Sequence, residues 1–188
     1  MSEMIELAVM EAEEKMGKAL EVERDDLASI RTGRAHPSMF SKLNVDYYGA
    51  PTPMQQLASF HIQDARTVLI TPFDKGAMTS IEKVLREGDL ALNPSNDGNA
   101  IRIVMPQLTE ERRKEYIKLA RTKGEDAKVS VRNIRRATMD TVSKAVKDGD
   151  IGEDEGTRSE KEIEALTKKY VDQIDEALKV KEAELLEV

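Results

Sequence analysis

Residues 108–147 read LTEERRKEYIKLARTKGEDAKVSVRNIRRATMDTVSKAVK, a stretch of forty residues without proline. Thr109 can accept a hydrogen bond from a free N–H group of a first helical turn, and Glu110 and Glu111 suit the positive end of a helix dipole. The pattern predicts one helix over residues 109–147, which would be roughly 58 Å long at about 1.5 Å per residue. Its apolar residues recur at helical spacing, and they are Ile117, Ala120, Ala127, Val131, Ile134, Val142 and Ala145.

This predicted helix carries a charge opposite to that of the chain around it. It holds twelve Lys and Arg against six Asp and Glu, a net charge of +6, in a chain whose formal net charge is −7. The remaining residues therefore sum to −13. The cations are densest in KVSVRNIRR, residues 128–136. So uneven a field indicates a polyanionic partner that meets one face, while the acidic remainder stays solvated.

Proline divides the chain. All six prolines lie within residues 37–106, and residues 1–30 and 107–188 contain none. The two flanks hold three amphipathic helical patterns, and helices with one apolar stripe each bury them most simply against one another. We therefore predict an α+β protein, an elongated antiparallel three-helix bundle of residues 1–30 and 106–188 with an inserted β/α/β domain of residues 31–105.

The insert shows the patterns of strands and one short helix. Alternating or short apolar runs predict strands at residues 43–48, 57–62, 67–71 and 100–104. Residues 78–87 have apolar positions on one helical face and are followed by Gly88, which predicts a helix that ends there. Residues 93–98, NPSNDG, have the composition of a turn.

The chain crosses between the two predicted domains once on each side of the insert. Gly33 permits backbone angles that other residues avoid, and Pro106 limits those of Met105. Arg31 and Arg34 flank Gly33, and their cations suit either a helix C-terminus or an additional contact with the polyanion. We predict hinges at these five residues and a variable angle between the two domains.

The sequence provides few groups for catalysis or metal binding. It has no cysteine, which excludes disulfides and thiolate metal sites. His36 and His61 are the only histidines, and neither is spaced as a metal ligand pair. The turns near Asp74 and Asp97 lack the Gly-Lys-Ser/Thr ending of a nucleotide-binding P-loop. We predict a protein that is not an enzyme and that needs no metal or cofactor.

The chain also lacks the segments that direct a protein into or across a membrane. No apolar run approaches the length of a membrane span. The first residues, MSEMIE, have neither the basic region nor the apolar stretch of a signal peptide. These patterns predict a cytoplasmic protein.

Five stretches, in order and spacing along nearly the whole chain, resemble the ribosome recycling factor family. They are RTGRA at 31–35, YYGAPTP at 47–53, LNP at 92–94 with DG at 97–98, LTEERRK at 108–114, and VRNIRR at 131–136. Any one of these stretches alone is weak evidence, but together they are highly specific.

The resemblance implies an L-shaped molecule of tRNA-like size, in which two hinge strands join the bundle to the small domain. It also implies a monomer that binds 23S rRNA of the large ribosomal subunit after termination. With elongation factor G and GTP, such a protein splits the post-termination complex so that ribosomes are recycled. Arg132 matches the family's arginine on the rRNA backbone. The supporting cations are Lys128, Arg135 and Arg136, and Arg121 extends the same stripe.

The residue pattern alone also allows a less specific interpretation. Lys128, Arg132 and Arg135 fall at three- and four-residue steps, so they share a helical stripe. That stripe fits a solvated face whose cations pair with the Glu-rich first and third helices. The chain would then be a helical adaptor whose insert recruits a protein partner. An rRNA-binding stripe with about four phosphate contacts predicts instead a strong salt dependence. The logarithm of the binding constant would fall against the logarithm of the salt concentration with a slope of roughly −3.6.

Overall fold

A computed structural model describes residues 2–88, 90 and 92–187, and it contains all of the predicted helices. The helices are α1 (Glu3–Ser29), α2 (Met78–Glu87), α3 (Glu110–Lys147) and α4 (Glu153–Leu186). The strands are β1 (Asn44–Tyr47), β2 (Ala50–Pro53), β3 (Ala58–Asp64), β4 (Thr67–Pro72), β5 (Ser95–Asn96) and β6 (Ile101–Val104). The predicted α+β class is confirmed.

The chain divides into two compact units. The first contains the residues up to Leu27 together with Lys118–Glu182, and the second contains Ala28–Ile117 together with the residues from Ala183 onward. The predicted domains, residues 1–30 with 106–188 and residues 31–105, differ from these units because they keep α3 and α4 undivided. That division stays a prediction.

The first unit is a three-helix bundle of α1 with most of α3 and α4. One apolar cluster joins Met16 and Leu20 of α1 to Val131 of α3 and Ile174 of α4. A second joins Ile5, Val9, Val142, Ala145, Ile151 and Ile163. The start of α1 therefore packs beside the end of α3, so these helices are antiparallel. Among the described residues, no helix has the length and apolar character needed to cross a membrane.

The second unit contains every strand of the described residues. The order β3-β4-β6-β5 forms an antiparallel sheet, and β1 pairs with β2 in a separate hairpin. Helix α2 follows β4 and buries Ile81 and Leu85 completely or nearly so. These side chains join an apolar cluster with Ile70, Ile101 and Ile103 of the sheet and with Phe40, which ends the short helical turn Pro37–Phe40.

Two short strands were not predicted. Strand β2 carries Pro51 and Pro53, which usually argue against a strand. Among the described strands, β2 pairs with β1 alone and can leave proline at an unpaired edge. The hairpin turns at Tyr48 and Gly49, which both have positive φ, 50° and 85°. Residues 93–98, predicted to be a turn, include the two-residue strand β5.

Candidate nucleic-acid interface

The basic sequence lies within one uninterrupted helix, α3. Thr109 caps its start, because the Thr109 hydroxyl accepts a hydrogen bond from the Arg112 N–H at 3.1 Å. The Thr109 carbonyl oxygen also accepts from the Arg113 N–H at 2.9 Å. Thr109 was predicted to have this role, and the structure confirms it. The last turn contains Lys144 and Lys147, which suit the negative end of the helix dipole.

The apolar side of α3 fixes which way its cations point. Gly124, Ala127, Val131 and Thr138 are buried against the other two helices. Because each residue advances about 100° around a helix, the cations of residues 128–136 lie on the flank of this buried stripe or directly opposite it. The rotation of α3 is therefore set by packing, and the basic surface follows from it.

Three of the five predicted rRNA-binding cations are engaged by α4. Arg121 Nε donates to Glu182 Oε1 at 2.6 Å, and Lys128 forms an ion pair with Asp175. Arg135 donates through Nε to Glu164 Oε1 at 3.0 Å and through Nη2 to the same oxygen. The hydrogen bond lowers the pKa of Glu164 and raises that of Arg135. These three residues thus have acidic partners across the seam between the two helices.

The other two predicted cations, Arg132 and Arg136, point outward. Arg132 Nη1 lies 3.3 Å from Glu125 Oε1 on the same helix, and both side chains are more than half exposed, at 55% and 59%. Arg136 is exposed and has no acidic partner among the residues that the structure describes. The two arginines are four residues apart, which places one above the other on a single face.

The predicted stripe of five cations is therefore two groups. Arg121, Lys128 and Arg135 show the pairing with acidic neighbours that was the alternative to rRNA contact. The rRNA-binding roles of all five stay predictions. Two further residues of this face were not predicted: Glu125, two turns before Arg132, and Lys118, which lies eighteen residues or five helical turns before Arg136. The helical period alone could have identified both.

A buried carboxyl group lies beneath the seam. The side chain of Glu23 on α1 is 1% exposed, and its two oxygens accept no hydrogen bond from any residue within the described ranges. A Cβ atom on Gly124 of α3 would lie 3.4 Å from Glu23 Oε2. Burial, and next the nearby charge of Asp175, raise the pKa of Glu23 to about 7, against opposing effects of Arg24 and Lys128.

The predicted hinge residues after the insert have fixed hydrogen bonds. Arg31 Nη2 donates to the Pro106 carbonyl oxygen at 2.6 Å. The Met105 N–H donates to the Arg66 carbonyl oxygen at 2.6 Å, and Arg66 Nε donates back to the Met105 carbonyl oxygen at 2.8 Å. Met105 is completely buried. Within the second unit, the Arg31–Pro106 bond joins the two chain segments that border the insert, and the Met105–Arg66 bonds join the later segment to the insert itself.

Gly33 and Arg34 lie near the start of the insert in more open surroundings. Gly33 does not have positive φ, and a Cβ atom there would meet nothing within 4 Å. Arg34 is exposed and lies 3.2 Å from Glu187 in an ion pair. The unusual backbone angle that the sequence allowed at Gly33 is therefore not used in this conformation. The hinge role of these residues stays a prediction.

The two histidines and the two aspartate turns have local structural roles. His36 Nδ1 accepts from the Ser38 N–H at 3.2 Å and caps a short helical turn, and His61 lies in β3. Asp74 accepts from the Gly76 N–H at 2.8 Å, and Asp97 accepts from the Asn99 N–H at 2.9 Å. The turns predicted at both aspartates are confirmed. The described residues include no cluster of three or more His, Cys, Asp or Glu that could hold a metal ion.

Comparison with known proteins agrees with the resemblance inferred from the five stretches. The family model described as Ribosome recycling factor matches residues 23–186. The ribosome-recycling factor of Kineococcus radiotolerans is 66% identical over 185 residues, which cover 98% of this chain and 100% of that protein. That of Pseudarthrobacter chlorophenolicus is 64% identical over the same lengths.

Two solved structures share the fold. A solution structure of a ribosome recycling factor has a TM-score of 0.81 and 37% identity, and the match covers 100% of both chains. The second describes models of the Thermus thermophilus ribosome recycling factor and the Escherichia coli elongation factor G bound to the Escherichia coli post-termination complex. Its TM-score is 0.71 at 40% identity, with coverage of 97% of this chain and 99% of that chain.

Proposed function

Because the chain belongs to the ribosome recycling factor family, we propose that it releases ribosomes from mRNA after termination. In this proposal it binds the large ribosomal subunit and, with elongation factor G and GTP, splits the post-termination complex. The relative solved with elongation factor G on such a complex supports these partners. The protein acts as a monomer in the cytoplasm, without a metal or cofactor of its own.

The outward pair of arginines on α3 is the observation that best supports rRNA binding. The guanidinium groups of Arg132 and Arg136 are exposed on one helical face, and Arg136 has no acidic partner within the described residues. A guanidinium group can grip two phosphate oxygens at once through its planar fork of N–H groups. Four residues rise about 6 Å along a helix, so both groups can reach the same stretch of RNA backbone.

Lys128, Arg135 and Arg121 rank below this pair. Each is already hydrogen-bonded or ion-paired to a carboxylate of α4. A phosphate that approaches them meets a cation whose charge is largely offset. In this proposal Arg132 makes the central contact, and these three cations are secondary to it.

The protein transmits force and does not catalyse a reaction. The proposed domain of residues 1–30 and 106–188 holds rRNA, and the proposed domain of residues 31–105 meets elongation factor G. Hinges at Arg31, Gly33, Arg34, Met105 and Pro106 connect them. The sequence has no P-loop ending, so GTP hydrolysis by the elongation factor supplies the free energy for splitting.

Breakdown of polysomes in the presence of elongation factor G and GTP tests the proposal. The wild-type protein should convert polysomes to monosomes and subunits above the level of the elongation factor alone. Arg132→Glu should abolish most of this activity. Arg112→Glu is the matched control, since Arg112 is an exposed arginine of α3 paired to Glu115 at 3.2 Å but lies off the outward face. No breakdown by the wild-type protein would contradict the proposed function.

A further inference from the structure

The acids of α4 that face α3 meet its cations in order along the seam, at spacings of seven and eleven residues. Arg121, Lys128 and Arg135 are seven residues apart, or about two helical turns. Their partners follow in reverse order along α4, and they are Glu182, Asp175 and Glu164. Because α3 and α4 are antiparallel, this order places three cross-helix pairs in a single row.

The row withdraws these cations from solvent to different extents. The side chain of Lys128 is 19% exposed and that of Arg135 is 38% exposed. Electrostatic attraction strengthens where water is partly excluded, so these two pairs are held more firmly than an open surface pair. Arg121 remains mostly exposed, but its partner Glu182 is half-buried.

We propose that Glu164, Asp175 and Glu182 form an acidic strip that restricts phosphate binding to the outward face of α3. A phosphate that approached the seam would have to separate an existing pair and leave a carboxylate beside its own negative charge. A phosphate on the outward face meets Arg136, which has no acidic partner within the described residues, and Arg132, which is opposed there by the exposed Glu125. The strip thereby sets the edge of the rRNA interface. This inference rests on the proposed function and specifies which cations carry it.

The salt dependence of binding distinguishes this arrangement from a stripe of five equal contacts. Two phosphate contacts give a log–log slope of roughly −1.8, which is about a tenfold loss of affinity between 50 and 200 mM salt. Five contacts give roughly −4.5, which is a loss of several hundredfold. Neutralising the acidic strip should therefore move the salt slope from the value for two contacts toward the value for five.

The experiment compares two triple variants for binding to purified large ribosomal subunits across a salt titration. One neutralises the strip (Glu164→Gln, Asp175→Asn, Glu182→Gln). The control makes the same change of net charge at exposed acids that have no ion pair within the described residues (Glu21→Gln, Glu162→Gln, Glu176→Gln). The strip variant should bind about tenfold or more tighter at 50 mM salt, with a slope steeper by up to about 2.7. The control should gain less than threefold.

A double-mutant cycle measures how the Arg135–Glu164 pair alone affects subunit binding. Arg135→Gln should weaken subunit binding less than twofold in the wild-type background, because Glu164 already offsets its charge. In the Glu164→Gln background the same change should weaken binding about fivefold. Arg132→Gln should weaken binding strongly in both backgrounds. Equal losses for Arg135→Gln in the two backgrounds would overturn the proposal.

The outcomes separate this inference from the function on which it rests. If wild-type protein binds subunits but the strip and control variants gain equally, the acids act only through net charge and the acidic strip is wrong. If the wild-type protein does not bind large subunits at all, the proposed function fails, and the inference fails with it. Thermal unfolding of each variant checks that the bundle is intact.

Discussion

Gly156 of α4 lies directly against Val146 of α3. A Cβ atom at Gly156 would be 2.6 Å from Val146 Cγ2, which is closer than two carbon atoms can approach. Val146 lies in the last turn of α3 and Gly156 in the first turn of α4, on either side of the turn at Gly149. The glycine therefore allows the two helices to pack closely at this end of the bundle.

Gly156→Ala should destabilise the protein, although alanine is the better helix former. The side chain of a valine within a helix has essentially one rotamer, so Val146 cannot move aside without a backbone shift. Such overpacking costs about 1–3 kcal/mol. Gly17→Ala is the matched control, since its Cβ would lie 3.7 Å from Tyr170 Oη, an ordinary contact. The free energy of unfolding of Gly17→Ala should be about 1 kcal/mol higher than that of the wild-type protein. Denaturant unfolding of both variants tests this pair, and stabilisation by both would contradict it.

These glycines show what the sequence could and could not reveal about the fold. The helical period and Thr109 predicted α3 to within a residue, and Gly88 ended α2 where it was expected. From composition alone, Gly17 and Gly156 look alike, each a costly residue within a helix. Only the approach of α3 to α4 makes Gly156 necessary, and no local pattern encodes that distance.

The buried Glu23 should make the stability of the bundle fall as pH rises through the neutral range. Its pKa is about 7 in the folded protein against 4.5 ordinarily, so the folded state binds this proton more tightly than the unfolded state. The stabilisation is complete below about pH 4.5 and is lost as pH rises through 7. The whole shift corresponds to about 3 kcal/mol.

Glu23→Gln should remove this component of the pH dependence. The free energy of unfolding, measured with urea at pH 5 and pH 8, should fall less between these values in Glu23→Gln than in the wild-type protein. Glu21→Gln, an exposed neighbour on α1, should keep the wild-type dependence. An identical pH dependence in wild type and Glu23→Gln would show that Glu23 does not titrate in this range.

Asp74 in the second unit binds the phenol groups of the half-buried Tyr47 and the exposed Tyr48. It accepts from Tyr47 Oη at 2.9 Å and from Tyr48 Oη at 3.2 Å. These hydrogen bonds raise the pKa of both phenols, while bonding to the Gly76 N–H, and next to Tyr47, lowers the pKa of Asp74. In Asp74→Asn, alkaline absorbance titration should therefore show two of the four tyrosines ionising at lower pH.

The same variant has a second expected result at acid pH. Because the pKa of Asp74 is lowered by folding, its stabilisation is present at neutral pH and is lost as pH falls through the folded value, below 3.8. The melting temperature of Asp74→Asn should lie below that of wild type at pH 7, and the two should converge toward pH 2. Unchanged tyrosine titration would contradict the bonding described for this site.

Glu125 should compete with RNA for Arg132. The two side chains lie 3.3 Å apart on the outward face of α3, and both are exposed. Glu125→Gln removes the competing charge without changing the helix, and it should tighten binding to large ribosomal subunits by about two- to fivefold at low salt. Glu162→Gln is the control on an exposed face of α4. Weaker binding by Glu125→Gln would mean that the carboxylate instead orients Arg132 for its contact.

The candidate interface was predicted in part. The density of cations in residues 128–136 and the family resemblance identified the helix and Arg132. The division of those cations into a group paired with α4 and an outward pair could not be predicted. It depends on which acids of α4 lie opposite each cation. That pairing is set by the register of two helices joined by the turn at residues 148–152, and sequence spacing within α3 carries no information about it.

The most direct test of the central claim is the affinity of Arg132→Gln, Arg136→Gln and the double variant for purified large ribosomal subunits at 50 and 200 mM salt. Each single change should weaken binding about tenfold or more, and the double change should flatten the log–log salt slope by about 1.8. The control Arg112→Gln should bind like wild type. Wild-type affinity and slope in the double variant would contradict the claim that this outward face grips rRNA.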